Sequence, residues 1–233
     1  MEEKKSKVIL HGMWASTYSK RVEIALKLKG ISYEYVEEDL KNKTESLIQL
    51  NPVLKKIPLL VHDGKPVADT QVILDYIDET WKNSPRFYHE DPYERAQVRF
   101  WVSYINQQQV FDVVARVLYQ KGEAATRSVE VARERFRVLE EGLKKHFPNK
   151  IIRENDDVGL LDITIIASFG VHKVFHESIG VEIIDPVNTP TLYNWIEQLQ
   201  KLPVIKEVEV PHDRLVTFLQ KYRQEHLQQA ANA

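Results

Sequence analysis

Ser16 is the residue of this chain best placed to do chemistry. It follows a short β-rich segment, Val8-Ile9-Leu10, and precedes an apolar pattern of helical period. The free N–H groups of a helix N-terminus favour an anion, and a hydroxyl there can donate a hydrogen bond to one. The position predicts stabilisation of an anion such as a thiolate. The ordinary alternative is that Ser16 or Thr17 only caps the helix.

The chain of 233 residues contains no cysteine. Disulfides, thiolate metal sites and mechanisms that use a protein thiol are therefore excluded. Any thiolate beside Ser16 must come from a ligand. A free thiol with a pKa of about 8.5 is a few per cent ionised at neutral pH, and lowering that pKa to about 6.5, worth roughly 2.7 kcal/mol, makes the thiolate the main form.

Two further segments are suited to holding a ligand. Ile57 and Pro58 precede an apolar strand, and an exposed backbone edge at Ile57 could pair with a peptide-like ligand by strand addition. Asp69 and Thr70 open an amphipathic helix. They either cap that helix or bind the ammonium and carboxylate groups of a ligand.

Charge is nearly balanced over the whole chain. The formal net charge of −2 gives no field that would attract nucleic acid. Lys43 and Lys56 offer positive charge for a second ligand carboxylate, although surface lysines are more often only solvated. No signal-like or membrane-spanning apolar run occurs, so we expect a cytoplasmic protein without a membrane partner. The histidines show no ligand pattern that predicts a metal.

The elements that position these residues form two groups. Residues 1–83 predict a βαβ unit and then a ββα unit, with strands at 8–10 and 31–36, a helix that ends at Gly30, a hairpin turn at Asp63-Gly64 and a helix over 70–81. A linker at 84–90 leads to an all-helical region at 91–227. Its helices are expected over 93–147 with a break near 121–123, and over 160–178, 192–201 and 213–227. The tail at 228–233 is expected to be frayed.

The order and spacing of these signals resemble the plant tau-class glutathione transferases. The resemblance covers nearly the whole chain and is carried by segments 13–16 (MWAS), 21–30 (RVEIALKLKG), 33–40 (YEYVEEDL), 51–53 (NPV) with 55–58 (KKIP), 73–79 (ILDYIDE), 91–96 (DPYERA) and 99–101 (RFW). It implies the glutathione transferase fold: an α/β thioredoxin-like N-terminal domain followed by an all-α C-terminal domain. It also implies a homodimer.

The resemblance assigns roles to the residues singled out above. It implies that glutathione is the co-substrate and that its thiolate is added to hydrophobic electrophiles. Ser16 matches the residue that activates the glutathione sulfur. The glutathione-binding matches are Lys43 and Lys56 for the glycine carboxylate, Ile57 for the backbone of the cysteinyl unit before a cis-proline, and Asp69 with Thr70 for the γ-glutamyl end.

A pocket for the electrophile is expected in the helical domain and beside Ser16. Aromatic side chains suit flat apolar molecules. The residues on segments that resemble pocket-lining ones are Met13, Trp14, Phe111, Ala115, Tyr119, Phe175, Phe218 and Tyr222. Asp162, by contrast, matches a capping position at the start of a buried helix, and we interpret it as structural.

The chain departs from the family pattern at two places. Thr17 stands where the family usually has proline, and Asp69-Thr70 replaces a Glu-Ser pair. The shorter carboxylate predicts weaker glutathione binding than is usual in the class. Two other functions use the same pocket: a non-catalytic carrier of hydrophobic plant metabolites, and a glutathione-dependent isomerase or cyclase.

Overall fold

A four-stranded sheet forms the N-terminal half of the computed structural model, which describes residues 6–107 and 110–231. The strands are β1 (Val8–Gly12), β2 (Glu34–Glu37), β3 (Leu59–His62) and β4 (Lys65–Ala68), in the spatial order β2-β1-β3-β4. β1 is parallel to β2 and antiparallel to β3, and β3 is antiparallel to β4. This mixed sheet confirms the predicted thioredoxin-like half.

Three helices belong to this half. They are α1 (Thr17–Leu28), α2 (Glu45–Leu50) and α3 (Thr70–Thr80). α1 buries Val22, Ala25 and Leu26 and is followed by Gly30, whose φ of +67° suits glycine. Sequence analysis did not predict α2, which is short and is capped by the Thr44 hydroxyl, the acceptor of the Leu47 N–H at 3.2 Å.

The rest of the described chain is helical. Its helices are α4 (Pro92–Gln107), α5 (Val110–Val117), α6 (Gly122–His146), α7 (Leu160–Phe169), α8 (His172–Ile179), α9 (Pro190–Leu199), α10 (Pro203–Glu207) and α11 (His212–Ala231). The break near 121–123 lies between α5 and α6, as predicted. The single helix predicted over 160–178 is wrong, because α7 ends at Phe169 and a separate helix, α8, begins at His172. α11 continues to Ala231, into the segment expected to be frayed.

Two buried cations hold α1 in place. Arg21 donates hydrogen bonds to Asn106 of α4 at 2.8 Å and to Ser168 of α7 at 2.7 Å. Burial lowers the pKa of its guanidinium to about 10. Lys29, directly after α1, pairs with Asp78 of α3 at 2.9 Å, and its ammonium also donates to the carbonyl groups of Asn83 and Pro85. The Arg21 contacts fix α1, and therefore Ser16 at its start, against the helical half.

The N-terminus of α7 confirms the structural interpretation of Asp162. Its carboxylate accepts hydrogen bonds from the Gly159 N–H at 2.7 Å and from the Trp195 indole at 2.6 Å, and it pairs with Lys150 at 3.0 Å. α7 itself is buried all round. No helix among the described residues is both long and apolar enough to span a membrane.

Candidate functional site

One edge of the sheet collects the residues predicted to hold glutathione. The strand register places the C-terminal ends of β1, β2 and β4 beside the N-terminal end of β3. Ser16 follows β1, Ile57 precedes β3, and Asp69 and Thr70 follow β4. Continuing the β3–β4 register by two residues puts Ile57 level with Thr70. Topology alone therefore brings these four positions to one edge.

Ser16 is the N-cap of α1. Its Oγ accepts a hydrogen bond from the Ser19 N–H at 3.2 Å, and its own N–H donates to the Met13 carbonyl at 2.8 Å. The side chain is half-buried. Capping uses a lone pair of the hydroxyl and leaves its hydrogen available to another acceptor. Capping and stabilisation of a bound thiolate are thus compatible in this geometry.

Close packing beneath this turn fixes its path. A Cβ at Gly12 would lie 2.6 Å from the Tyr35 hydroxyl, so any larger residue would force the Tyr35 ring to move. The buried Ser19 hydroxyl accepts a hydrogen bond from the Met13 N–H at 3.3 Å. Burial, and then the charges of Glu23 and Glu37, raise the pKa of Tyr35, so its phenol is neutral at physiological pH.

The loop before β3 presents Ile57 and the two lysines. The Ile57-Pro58 peptide is cis, as the family resemblance implies, and the Ile57 side chain is half-buried. The Asn51 amide donates to the Lys56 carbonyl at 3.0 Å and Lys43 donates to the Lys55 carbonyl at 2.8 Å, so both contacts shape this loop. The Lys56 side chain is exposed.

Asp69 has a strained backbone at the start of α3. Its φ is +76° and its ψ is 130°, a conformation that costs a residue other than glycine about 1–3 kcal/mol. One carboxylate oxygen accepts hydrogen bonds from the N–H groups of Gln71 at 2.9 Å and Val72 at 3.3 Å. The other oxygen has no hydrogen-bond partner in the described part of the chain, and the side chain is exposed. It is free to bind a ligand ammonium group.

A buried network that sequence analysis missed holds the loop between β2 and α2. The Glu38 carboxylate accepts hydrogen bonds from the Thr44 hydroxyl at 2.6 Å, the Thr44 N–H at 2.9 Å and His11 at 2.8 Å. Burial opposes ionisation of Glu38, but the bonds from Thr44 and His11 outweigh it and lower the pKa of the carboxyl. The network fixes the loop that carries Lys43. The only sequence signal for the network was that segment 33–40, which contains Glu38, resembles the family.

A cavity of about 510 Å³ lies between the turn before α1, the β2–α2 loop and α11. It contains four of the predicted pocket residues, Met13, Trp14, Phe218 and Tyr222. The Trp14 and Phe218 rings meet edge to face at 5.1 Å, and Phe218 stacks on Tyr222 at 6.0 Å. The Arg214 guanidinium lies 4.1 Å from the centre of the Trp14 ring. Sequence analysis missed the remaining lining residues, which are Glu37, Glu38, Asp39, Leu40, Lys41, Lys221 and Glu225.

The other predicted pocket residues do not line this cavity. The Tyr119 ring lies 5.8 Å from that of Tyr222, beside the cavity, and burial raises its pKa to about 12. Ala115 lies on α5 away from the lining. Phe175 lines a separate cavity of about 30 Å³ with His172. The Phe111 side chain lies outside the described residues. Within the described ranges, no group of three or more histidine, aspartate or glutamate residues could hold a metal ion.

Comparisons with known proteins agree with this architecture. The family model of the glutathione S-transferase N-terminal domain matches residues 6–79. Glutathione S-transferase U10 of Arabidopsis thaliana is 78% identical over the full length of both chains. Glutathione transferase GST 23 of Zea mays is 41% identical over 97% of this chain and 99% of its own.

Solved structures show the same similarity. The tau-class glutathione S-transferase of mango superposes with a TM-score of 0.81 at 32% identity, covering 91% of this chain and 96% of its own. Rice GST1, solved in complex with glutathione, gives a TM-score of 0.84 at 25% identity over 96% of this chain and 99% of its own. This chain therefore belongs to the tau class of glutathione transferases.

Proposed function

We propose that this transferase adds the glutathione thiolate to hydrophobic aromatic electrophiles, with Ser16 as the residue that stabilises the sulfur. The observation that carries the proposal is the position of Ser16, which caps α1 at the sheet edge shared with Ile57, Asp69 and Thr70. The first N–H groups of α1 and the Ser16 hydroxyl all favour negative charge at this point.

Glutathione is proposed to lie along that edge with its γ-glutamyl end at β4. Its α-ammonium group binds the free oxygen of Asp69, and its α-carboxylate binds Thr70 at the N-terminus of α3. The backbone of Ile57 pairs with the cysteinyl unit, as a strand edge pairs with a peptide. Lys43 and Lys56 supply the positive charge for the glycine carboxylate. This arrangement places the sulfur toward Ser16.

The reaction needs no protein nucleophile. The thiol loses its proton to solvent, and the Ser16 O–H donates a hydrogen bond to the resulting thiolate. With an aryl halide, the sulfur forms a bond to the ring carbon and the halide leaves with the bonding electrons. The cavity that contains Trp14, Phe218 and Tyr222 lies next to Ser16 along the chain and holds the ring.

The protein is further proposed to act as a homodimer. Val53, on the loop after α2, is 86% exposed, and Tyr93 and Phe100 of α4 are also strongly exposed. We propose that these side chains belong to one association surface, since a contiguous exposed apolar patch marks such a surface. Light scattering should give twice the mass of one chain. A cytoplasmic location stays a prediction.

Replacing Ser16 tests the function. Ser16→Ala should lower kcat with an aryl halide by about 10²-fold and raise the pKa of the bound thiol, followed by the ultraviolet absorbance of the thiolate. The glutathione KM should change little, because Ser16 binds only the sulfur. The alanine variant also loses a helix cap worth about 1 kcal/mol, so a second variant is needed.

Ser16→Asp supplies that control. Aspartate caps helices as well as serine does, but its charge repels a thiolate. The aspartate variant should therefore fold as stably as the parent and still conjugate no faster than the alanine variant. An aspartate variant with parental kcat would show that Ser16 only caps α1. Tight binding of aryl ligands without any conjugation by the parent would favour a carrier instead.

A further inference from the structure

The cavity that Trp14 and Phe218 line carries more acidic than basic side chains. Its lining contains four carboxylates and two lysines, namely Glu37, Glu38, Asp39, Glu225, Lys41 and Lys221. An aromatic pocket that selected only by shape and apolar contact would not need such an excess. Each charge can act on a ligand only to the extent that neighbouring groups do not already pair with it.

Three of these six charges are already engaged. Lys41 and Glu225 pair at 3.3 Å across the mouth of the cavity, joining the β2–α2 loop to α11. Glu38 is ionised, since hydrogen bonds from Thr44 and His11 lower its pKa, but those same bonds occupy its oxygens. None of the three presents an unopposed charge to a ligand.

Glu37, Asp39 and Lys221 remain, and two of these three charges are negative. One oxygen of Glu37 accepts the Trp14 N–H at 3.2 Å, and one oxygen of Asp39 accepts the Lys41 N–H at 2.9 Å. Their other oxygens have no hydrogen-bond partner among residues 6–107 and 110–231. Both side chains are exposed, and within the lining only the Lys221 ammonium opposes them. Arg214 lies over the Trp14 ring, outside the lining.

We propose that this cavity selects electrophiles by charge, favouring neutral and cationic aromatic compounds over those that carry a carboxylate or sulfonate. Trp14, Phe218 and Tyr222 bind the ring, while Glu37 and Asp39 set the charge preference. The bound glutathione thiolate adds a further negative charge beside the ring. Because the two carboxylates are exposed, salt weakens their effect. The inference rests on the proposed conjugation for its kinetic test.

Three matched electrophiles test the preference. They are amides of 4-chloro-3-nitrobenzoic acid on one short linker, which ends in a trimethylammonium, a hydroxyl or a sulfonate group. In each, the glutathione sulfur bonds to the ring carbon and chloride leaves, so the reacting ring is the same. After division by the uncatalysed rate constant, kcat/KM of the cation should exceed that of the anion about tenfold at low salt and approach equality at about 0.5 M salt.

Variants connect the preference to the named residues. The double variant Glu37→Gln with Asp39→Asn removes both charges but keeps the oxygen that each backbone N–H needs. It should reduce the cation-to-anion ratio to about twofold. Lys221→Gln should increase the ratio. The matched control is Glu34→Gln, on the same strand as Glu37 but outside the cavity lining, which should leave the ratio unchanged.

The outcomes separate the inference from the proposed function. Conjugation with equal kcat/KM for cation and anion, or with a ratio that the double variant does not alter, overturns the charge selection and leaves conjugation standing. If none of the three amides is conjugated, the proposed function fails. Unreactive analogues with hydrogen in place of chlorine are then titrated by calorimetry into the protein loaded with glutathione. Tighter binding of the cation supports the inference, and equal binding overturns it.

Discussion

The glutathione edge and the electrophile cavity are built in different ways. At the edge, the site depends on the local path of the backbone: the first turn of α1, which the Ser16 side chain caps, the cis peptide before Pro58 and the positive φ of Asp69. In the cavity, side chains from opposite ends of the chain meet, with Trp14 from the first turn and Phe218 from the last helix. Backbone geometry tolerates few replacements, whereas the cavity can change its ligand through single side chains.

The two regions should therefore respond separately to substitution. Changes to the edge residues that hold the two ends of glutathione should alter the KM for glutathione, and changes in the cavity should alter the KM for the electrophile. Glu38 belongs to both regions, because it lines the cavity and fixes the loop that carries Lys43. A substitution there should affect the whole arrangement.

Glu38→Gln should have the largest effect on stability, about 1–3 kcal/mol at pH 7, because it removes a buried charge that accepts three hydrogen bonds. The pKa of Glu38 is lowered in the folded protein, so its contribution is fully present above the ordinary glutamate pKa of about 4.3 and is lost as the pH falls through the folded value. The two proteins should therefore converge in stability in acid.

Urea unfolding between neutral and acid pH measures this convergence, with Glu34→Gln as the exposed control on the same strand. Parallel pH curves would contradict it.

Asp69→Asn should raise the glutathione KM about tenfold, since a charge-assisted contact to the ligand ammonium becomes a neutral one. Asparagine caps a helix as well as aspartate does and tolerates a positive φ, so stability should hold. The matched control is Asp63→Asn in the hairpin turn, which also has a positive φ but lies at the opposite end of the strands. An equal rise in both variants would show that Asp69 acts only through the fold.

Phe218→Ala should raise the KM for aromatic electrophiles about fivefold, because it removes ring contacts with both Trp14 and Tyr222. The glutathione KM should stay within about twofold if the two regions are independent. Phe147→Ala, a half-buried position that packs on Trp195 and does not line the cavity, is the control for a general effect of losing a phenyl ring. A parallel rise in the KM of both substrates would show that the glutathione edge and the cavity are not independent.

The same difference explains what the sequence could predict. Ser16, Ile57 and Asp69 each stand in a local motif, so the sequence alone predicts that they lie at the ends of strands and helices. Lys221 and Glu225 have no local signal, since their position on the cavity wall depends on which face of α11 meets the β2–α2 loop. The same holds for Phe175, which lines a different cavity: its aromatic character indicates burial and does not show which cavity it borders.

Thr17→Pro should have the smallest effect on stability. It tests the departure from the family pattern that lies beside Ser16. Thr17 is the first residue of α1, where the N–H has no partner within the helix and the proline ring suits the backbone. A residue before proline must be extended, and Ser16 already is, with φ −82° and ψ 118°. The variant should therefore gain about 0.4–1 kcal/mol in urea unfolding by restricting the unfolded chain. A loss of stability would show that Thr17 makes a contact which the cap geometry does not require, and that the turn has adapted to threonine.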